Sequence, residues 1–186
     1  MKLSGRIVGK IALIWLCVAF GLLLIVPWLG WTWHLIHGST IESSGVLFRV
    51  PPRYLARGSS DGRASMWRCE VGVPLWRAPY GFLGIYPHRD RPKIDMKLDL
   101  NRLQTILVNQ GKLEGMSLDA QRKLQTEAGP AVCFQFKSGR RSSASCFFDN
   151  STLSIQYEGS EKFTGDIYEL VNSARWQGAG PPFSRE

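Results

Sequence analysis

Residues 11–29 form an uncharged apolar run, Ile-Ala-Leu-Ile-Trp-Leu-Cys-Val-Ala-Phe-Gly-Leu-Leu-Leu-Ile-Val-Pro-Trp-Leu. No other stretch constrains the fold as much, because a helix crossing a bilayer core takes about 20 apolar residues. A secretory signal has a shorter apolar core, about 7–15 residues, followed by small residues at a cleavage site. Here the run is longer, and Gly30-Trp31-Thr32-Trp33-His34 is bulky where a cleavage site would be small. The sequence therefore predicts a retained transmembrane helix over 11–29 behind a basic leader over 1–10. Pro27 stands near the outer end, where a helix bends or stops. Trp28, Trp31 and Trp33 read as an interfacial belt.

Lys2, Arg6 and Lys10 precede the run, and no acid stands among them. Between Leu29 and Arg49 there is no Lys or Arg. Basic flanks stay on the cytoplasmic side, so the expected placement is the plasma (inner) membrane, single-pass, with the N-terminus in and an extracytoplasmic or periplasmic domain. The expected divisions are an interfacial segment and tether over 30–45, one domain over 46–176, and a disordered tail over 177–186 rich in Gly and Pro. The domain is long enough to bury a core of its own.

The formal charge is +8, and the excess lies before residue 113. Outside the cytoplasm such a surface meets anionic lipid, glycan or acidic protein rather than nucleic acid. The expected partners are the membrane and a protein of the envelope or membrane, with no nucleic acid. A merely solvated basic surface would have the same composition.

Residues 46–50 read as a strand that stops at Pro51-Pro52, since proline cannot donate to a ladder. Arg49, Arg53 and Arg57 recur every four residues. A helical turn opened by Pro52 would put Arg53 and Arg57 on one face, able to grip a phosphate or carboxylate. Residues 65–73 alternate as a half-buried strand, with Trp67, Cys69, Val71 and Val73 on one side. Residues 74–92 break the pattern with Pro, Gly and large aromatics. Trp76, Tyr80, Phe82 and Tyr86 make this loop the candidate contact surface, because aromatics give much area at low entropy cost. The same rings could fold inward, or 82–86 could be a short strand. Residues 93–100 alternate again, predicting a strand with Ile94, Met96, Leu98 and Leu100 on one face. A helix to about residue 109, capped by Asp99 or Asn101, and a second over 118–128 should follow.

The last third reads as a meander. With a two-residue turn at Gly139-Arg140, residue 138 pairs with 141 and Cys133 falls opposite Cys146. The count makes this a non-hydrogen-bonded pair, whose Cα spacing of about 4.5 Å suits a disulfide. A Cys133–Cys146 bridge is expected, with Cys69 free. A turn at Asn150-Ser151 sets Leu153, Ile155 and Tyr157 beside Phe148, Cys146 and Ala144. A last helix over 166–176 should cover that face with Ile167, Leu170, Val171 and Ala174, opened by Asp166 and Glu169 as a capping box. The expected fold class is α+β: one transmembrane helix, then a single domain with a mainly antiparallel sheet packed by helices, including a C-terminal helix.

The Phe-x-Val-Pro-Pro of residues 48–52, the long irregular middle, the late meander and the closing helix resemble the PsbP-like α/β/α sandwich. Members of that family are extracytoplasmic accessory or assembly domains. The resemblance covers most of 46–176 as an order of elements and carries over no functional residue. The sequence has no Cys-x-x-Cys, Gly-x-Ser-x-Gly, phosphate-cradling glycine loop or His-Glu-x-x-His. It points to no catalytic residue, metal or cofactor. His34 and His37, three apart, are either a ligand pair or polar tips at an interface. The expected function is a binding or accessory domain, a subunit of a membrane complex. The alternatives are a small envelope enzyme, a carboxylate-based hydrolase for which Asp95 and Asp99 are the nearest pair, and a structural envelope protein.

Overall fold

Two facing strands and a glycine turn set the register of the main sheet. β7 (Gly129–Ser138) and β8 (Arg141–Phe148) are joined through Gly139, whose φ of 58° suits the two-residue turn between twisted strands. Ser138 pairs with Arg141, and Cys133 pairs with Cys146. The two cysteines form a disulfide across a Cα–Cα distance of 4.0 Å, as the count from the turn requires. β9 (Leu153–Ser160) continues the meander with Cys146 opposite Ile155 and Ala144 opposite Tyr157, the register expected.

The computed structural model describes residues 5–70, 81–88, 93–149 and 151–177, with backbone only at 5–8, 22–24, 26 and 27. Around the meander lie β3 (Tyr54–Gly58), β4 (Ala64–Arg68), β5 (Phe82–Pro87) and β6 (Ser117–Thr126). They make a seven-stranded antiparallel sheet in the order β3-β4-β5-β9-β8-β7-β6. β1 (Thr40–Ser43), β2 (Val46–Arg49) and β10 (Arg175–Trp176) form a second, three-stranded sheet. The single sheet expected is thus two.

Alternation along the strands divides the core. On one face Met66, Leu83, Ile85, Cys133, Cys146, Ile155 and Tyr157 pack with α3 (Gly165–Asn172) and with Val46, Phe48 and Val50. Ile167, Leu170 and Val171 of α3 are fully buried, and Ala174 nearly so, as their spacing implies. On the other face Val132, Phe134, Phe136 and Phe147 pack with α2 (Met96–Leu113).

α1 runs from Gly5 to His37 as one helix, so the interfacial segment expected after Leu29 is its last turns, and the tether contains β1. Trp33 packs on the domain core, and His34 Nε2 lies 3.1 Å from the Pro51 carbonyl. Nearer the N-terminus Leu13, Ile14, Trp15, Leu16 and Phe20 are exposed. Among the described residues no helix is long and apolar enough to cross a membrane. The transmembrane helix expected over 11–29, and the single-pass inner-membrane placement built on it, are corrected on that ground.

Residues 93–100 are not a strand. Ile94 makes one bridge to Ser151, and α2 then begins at Met96. Asp95 caps it by accepting from the amides of Lys97 (2.8 Å) and Leu98, while Asp99 accepts from the amide of Asp95. Met96, Leu100, Leu103 and Leu107 are a helical stripe, and Leu98, which a strand would have buried with them, is exposed. The alternation over 93–100 fits a strand, but Met96 and Leu100 also continue into a helical stripe with Leu103 and Leu107, and the longer stripe decided. The helix expected over 118–128 is instead the edge strand β6, which pairs with β7 and ends at Thr126, with a turn at Glu127 and Ala128. The last helix ends at Asn172, and Arg175–Trp176 pairs with β2 instead.

Candidate functional site

A sheet of seven strands is wider than one helix. α2 covers the β6–β7 side of its face, where Phe134, Phe136 and Phe147 meet Leu100, Leu103 and Leu107. Over β8, β9 and β5 the described residues leave the same face uncovered beside the helix, and a cavity of about 370 Å³ opens there. Alternation sets Ser143 and Ser145 of β8, Gln156 and Glu158 of β9, and Phe82 and Tyr86 of β5 into it. Gln110, Gly111 and Glu114 of α2 form the opposite wall.

Two glycines shape the cleft. A Cβ at Gly84 would stand 2.5–2.6 Å from Cε2, Cζ and the hydroxyl of Tyr86. The far edge of the Tyr86 ring therefore lies folded along its own strand, over the gap left by Gly84. A Cβ at Gly111 would stand 2.9 Å from Phe136 Cδ1, so the missing side chain lets α2 approach that ring closely. Phe82 extends the aromatic wall outward, its ring edge-on to Trp67 of β4 at 6.0 Å between centroids. Burial holds the Tyr86 phenol above its ordinary pKa, with Arg63 opposing and Glu158 adding, so it stays neutral at physiological pH.

Among the described residues no Lys or Arg lines the cavity. Of the carboxylates lining it, Glu158 pairs with Arg141 at 3.5 Å, and Glu114 accepts from the neutral Gln110 amide at 3.1 Å. The side chains of Ser143, Ser145 and Gln156 have no protein partner among the described residues. The floor thus offers neutral groups that both donate and accept.

Of the residues singled out by sequence, Phe82 and Tyr86 come together in this cleft, on a strand rather than a loop. Trp76 and Tyr80 lie outside the described residues. The three arginines are not gathered. No helical turn follows Pro52: β3 begins at Tyr54, and Arg57 pairs with Ser65. Arg53 is 3.4 Å from Glu70, and Arg49 lies in the other sheet. His37 Nδ1 is 3.2 Å from the Trp33 carbonyl, as His34 is near that of Pro51. Asp95 and Asp99 are occupied in capping α2. Among the described residues no group of three His, Cys, Asp or Glu is placed to hold a metal ion.

A buried charged cluster was missed. Arg68, not Trp67, points to the α3 face of β4, because Ala64 and Met66 set the inward phase. Its guanidinium bonds Asp166 and, at 2.8 Å, Glu70, and lies 3.9 Å from the centre of the Phe163 ring. The Tyr54 hydroxyl donates to Asp166 at 2.7 Å. Asp166 is therefore not a capping residue, and Thr164 caps α3 with no side-chain bond. The signal available was the inward phase of Met66, which places Arg68 opposite the last helix. Ser143 and Ser145 were legible as the polar positions alternating with Ala144 and Cys146.

No protein-family model matches the chain, and no curated protein matches it.

Proposed function

We propose that the chain is a binding or accessory domain that works by contact, with the α2–sheet cleft as its recognition site. The observation that carries this reading is the Tyr86 ring laid over Gly84 beside a floor of unpartnered Ser143, Ser145 and Gln156. A concave site with an aromatic wall and a few converging polar groups is the usual form of a ligand pocket. The Cys133–Cys146 bridge supports an oxidising compartment as its place of work. The resemblance to PsbP-like accessory domains points the same way, as does the preference of aromatic side chains for contact surfaces. A protein partner in the same compartment is part of this reading.

Filling the cleft tests it. Ser145→Trp puts a large ring on the floor from a half-buried position. Whatever co-purifies with the wild-type chain from its own cells should be lost with Ser145→Trp and kept with Arg57→Ala, which lies away from the cleft. Equal recovery with all three chains would refute the reading.

A further inference from the structure

We propose that the cleft takes a neutral glycan, with one pyranose ring lying against Tyr86 and Phe82. This rests on the cleft being the recognition site. Charge narrows the ligand first. The chain carries +8, yet among the described residues no Lys or Arg lines the cavity, and those lining residues offer a phosphate, uronate or nucleotide no counter-charge. A cationic ligand fares little better. Glu158 already pairs with Arg141, which leaves Glu114, bonded by the neutral Gln110 amide, as the one carboxylate of the described lining without a cationic partner.

Hydrogen bonding narrows it further. Ser143, Ser145 and Gln156 each present both donor and acceptor capacity and have no partner among the described residues. Sugar hydroxyls have the same dual character, whereas an apolar ligand would leave these groups desolvated and unpaired at a cost of about 1–3 kcal/mol each. A second concavity, between Met96, Leu100 and Leu124, is the contrasting case, with a mainly apolar lining.

Shape agrees. The C–H-rich face of a pyranose packs on an aromatic ring, and Tyr86 is folded down along the strand instead of standing edge-up. A cavity of about 370 Å³ falls at the lower end of ligand pockets, roughly 300–1,000 Å³, and leaves room for a ring with part of its neighbour.

The test is an amide NMR titration of the full chain with maltotriose, cellotriose and chitotriose, and separately with trilysine. At least one trisaccharide should give saturable shifts at Ser143, Ser145 and Gln156. Tyr86→Ala and Gln156→Ala should each weaken that binding at least tenfold with an unchanged melting temperature, while Arg57→Ala should leave it as in wild type. If trilysine shifts these amides and no trisaccharide does, the glycan proposal is overturned and the recognition-site reading stands, with a basic peptide as occupant. If none of the four probes shifts them, the glycan proposal is overturned, and the Ser145→Trp comparison decides the recognition-site reading separately.

Discussion

Replacing Arg68 with Met should be the most damaging single change outside the apolar core. The side chains of Arg68 and Asp166 are only 11% and 19% exposed, so their pairing is largely dry. Removing one partner of a buried pair leaves an uncompensated charge and typically costs about 3–5 kcal/mol. In Arg68→Met, Asp166 keeps only the Tyr54 hydroxyl. Glu70 is not stranded, because Arg53 and Lys162 remain within 3.4 and 3.8 Å. The loss should therefore fall near the lower end, about 3 kcal/mol, which is about 6–12 °C in melting temperature for a domain of this size. Asp166→Asn keeps the Tyr54 bond and leaves Arg68 its Glu70 partner, and should cost about 2 kcal/mol. Arg68→Met with Asp166→Leu should recover part of the loss, since an apolar pair tolerates that site better than a lone charge. Urea unfolding followed by circular dichroism measures all three. Losses below about 1 kcal/mol for both single variants are the mark of a solvated surface pair and would refute a buried cluster joining α3 to β4.

Reduction of the Cys133–Cys146 bridge, or its replacement by two alanines, opens a loop of sequence separation 13 and should cost about 3 kcal/mol; non-reducing mass spectrometry should find this pair joined and Cys69 free. Burial, and then the nearby Asp166, raise the Tyr54 phenol far above its ordinary pKa. Its proton is held in the folded state and released in the unfolded one, so stability is full below about pH 10 and falls as pH rises beyond it; Tyr54→Phe should flatten that alkaline limb in pH-dependent melts. Asp95→Ala removes the acceptor for the Lys97 and Leu98 amides and should cost about 1 kcal/mol, seen as faster amide exchange in the first turn of α2.

Local chemistry was legible wherever one rule governed it. The Gly139 turn fixes the count that brings Cys133 to Cys146, and Ile167, Leu170, Val171 and Ala174 mark the buried stripe of the C-terminal helix. The sequence misled where two rules applied to a short window. Lys93 to Leu100 alternates as a strand does, and only the continuation of Met96 and Leu100 into Leu103 and Leu107 shows the helix. Residues 118–128 have helix-like propensity, but an unpaired edge of β7 outweighs a few tenths of a kcal/mol per residue. The cleft was half visible. Phe82 and Tyr86 drew notice as aromatics, but their setting depends on α2 covering one side of a wide sheet, which no local pattern encodes. Within β4 the phase was misread because Trp67 looks like core and Arg68 does not, whereas Cys69, just past the strand, is fully buried as expected. The Arg68 charge is tolerated inside only because Asp166 and the Phe163 ring arrive from distant parts of the chain to join the neighbouring Glu70.

Gly84→Ala bears on the central claim most directly. Its added Cβ would stand about 2.5 Å from the far end of the Tyr86 side chain, a flexible group that can swing away, so the platform should be lost while the strand keeps its pairing. Melting temperature and affinity for the ligand recovered with the wild-type chain are measured on the same preparation. The account predicts a melting temperature within about 3 °C of wild type, under roughly 1 kcal/mol for a domain of this size, with affinity reduced at least tenfold. Unchanged affinity with Tyr86 displaced would contradict it.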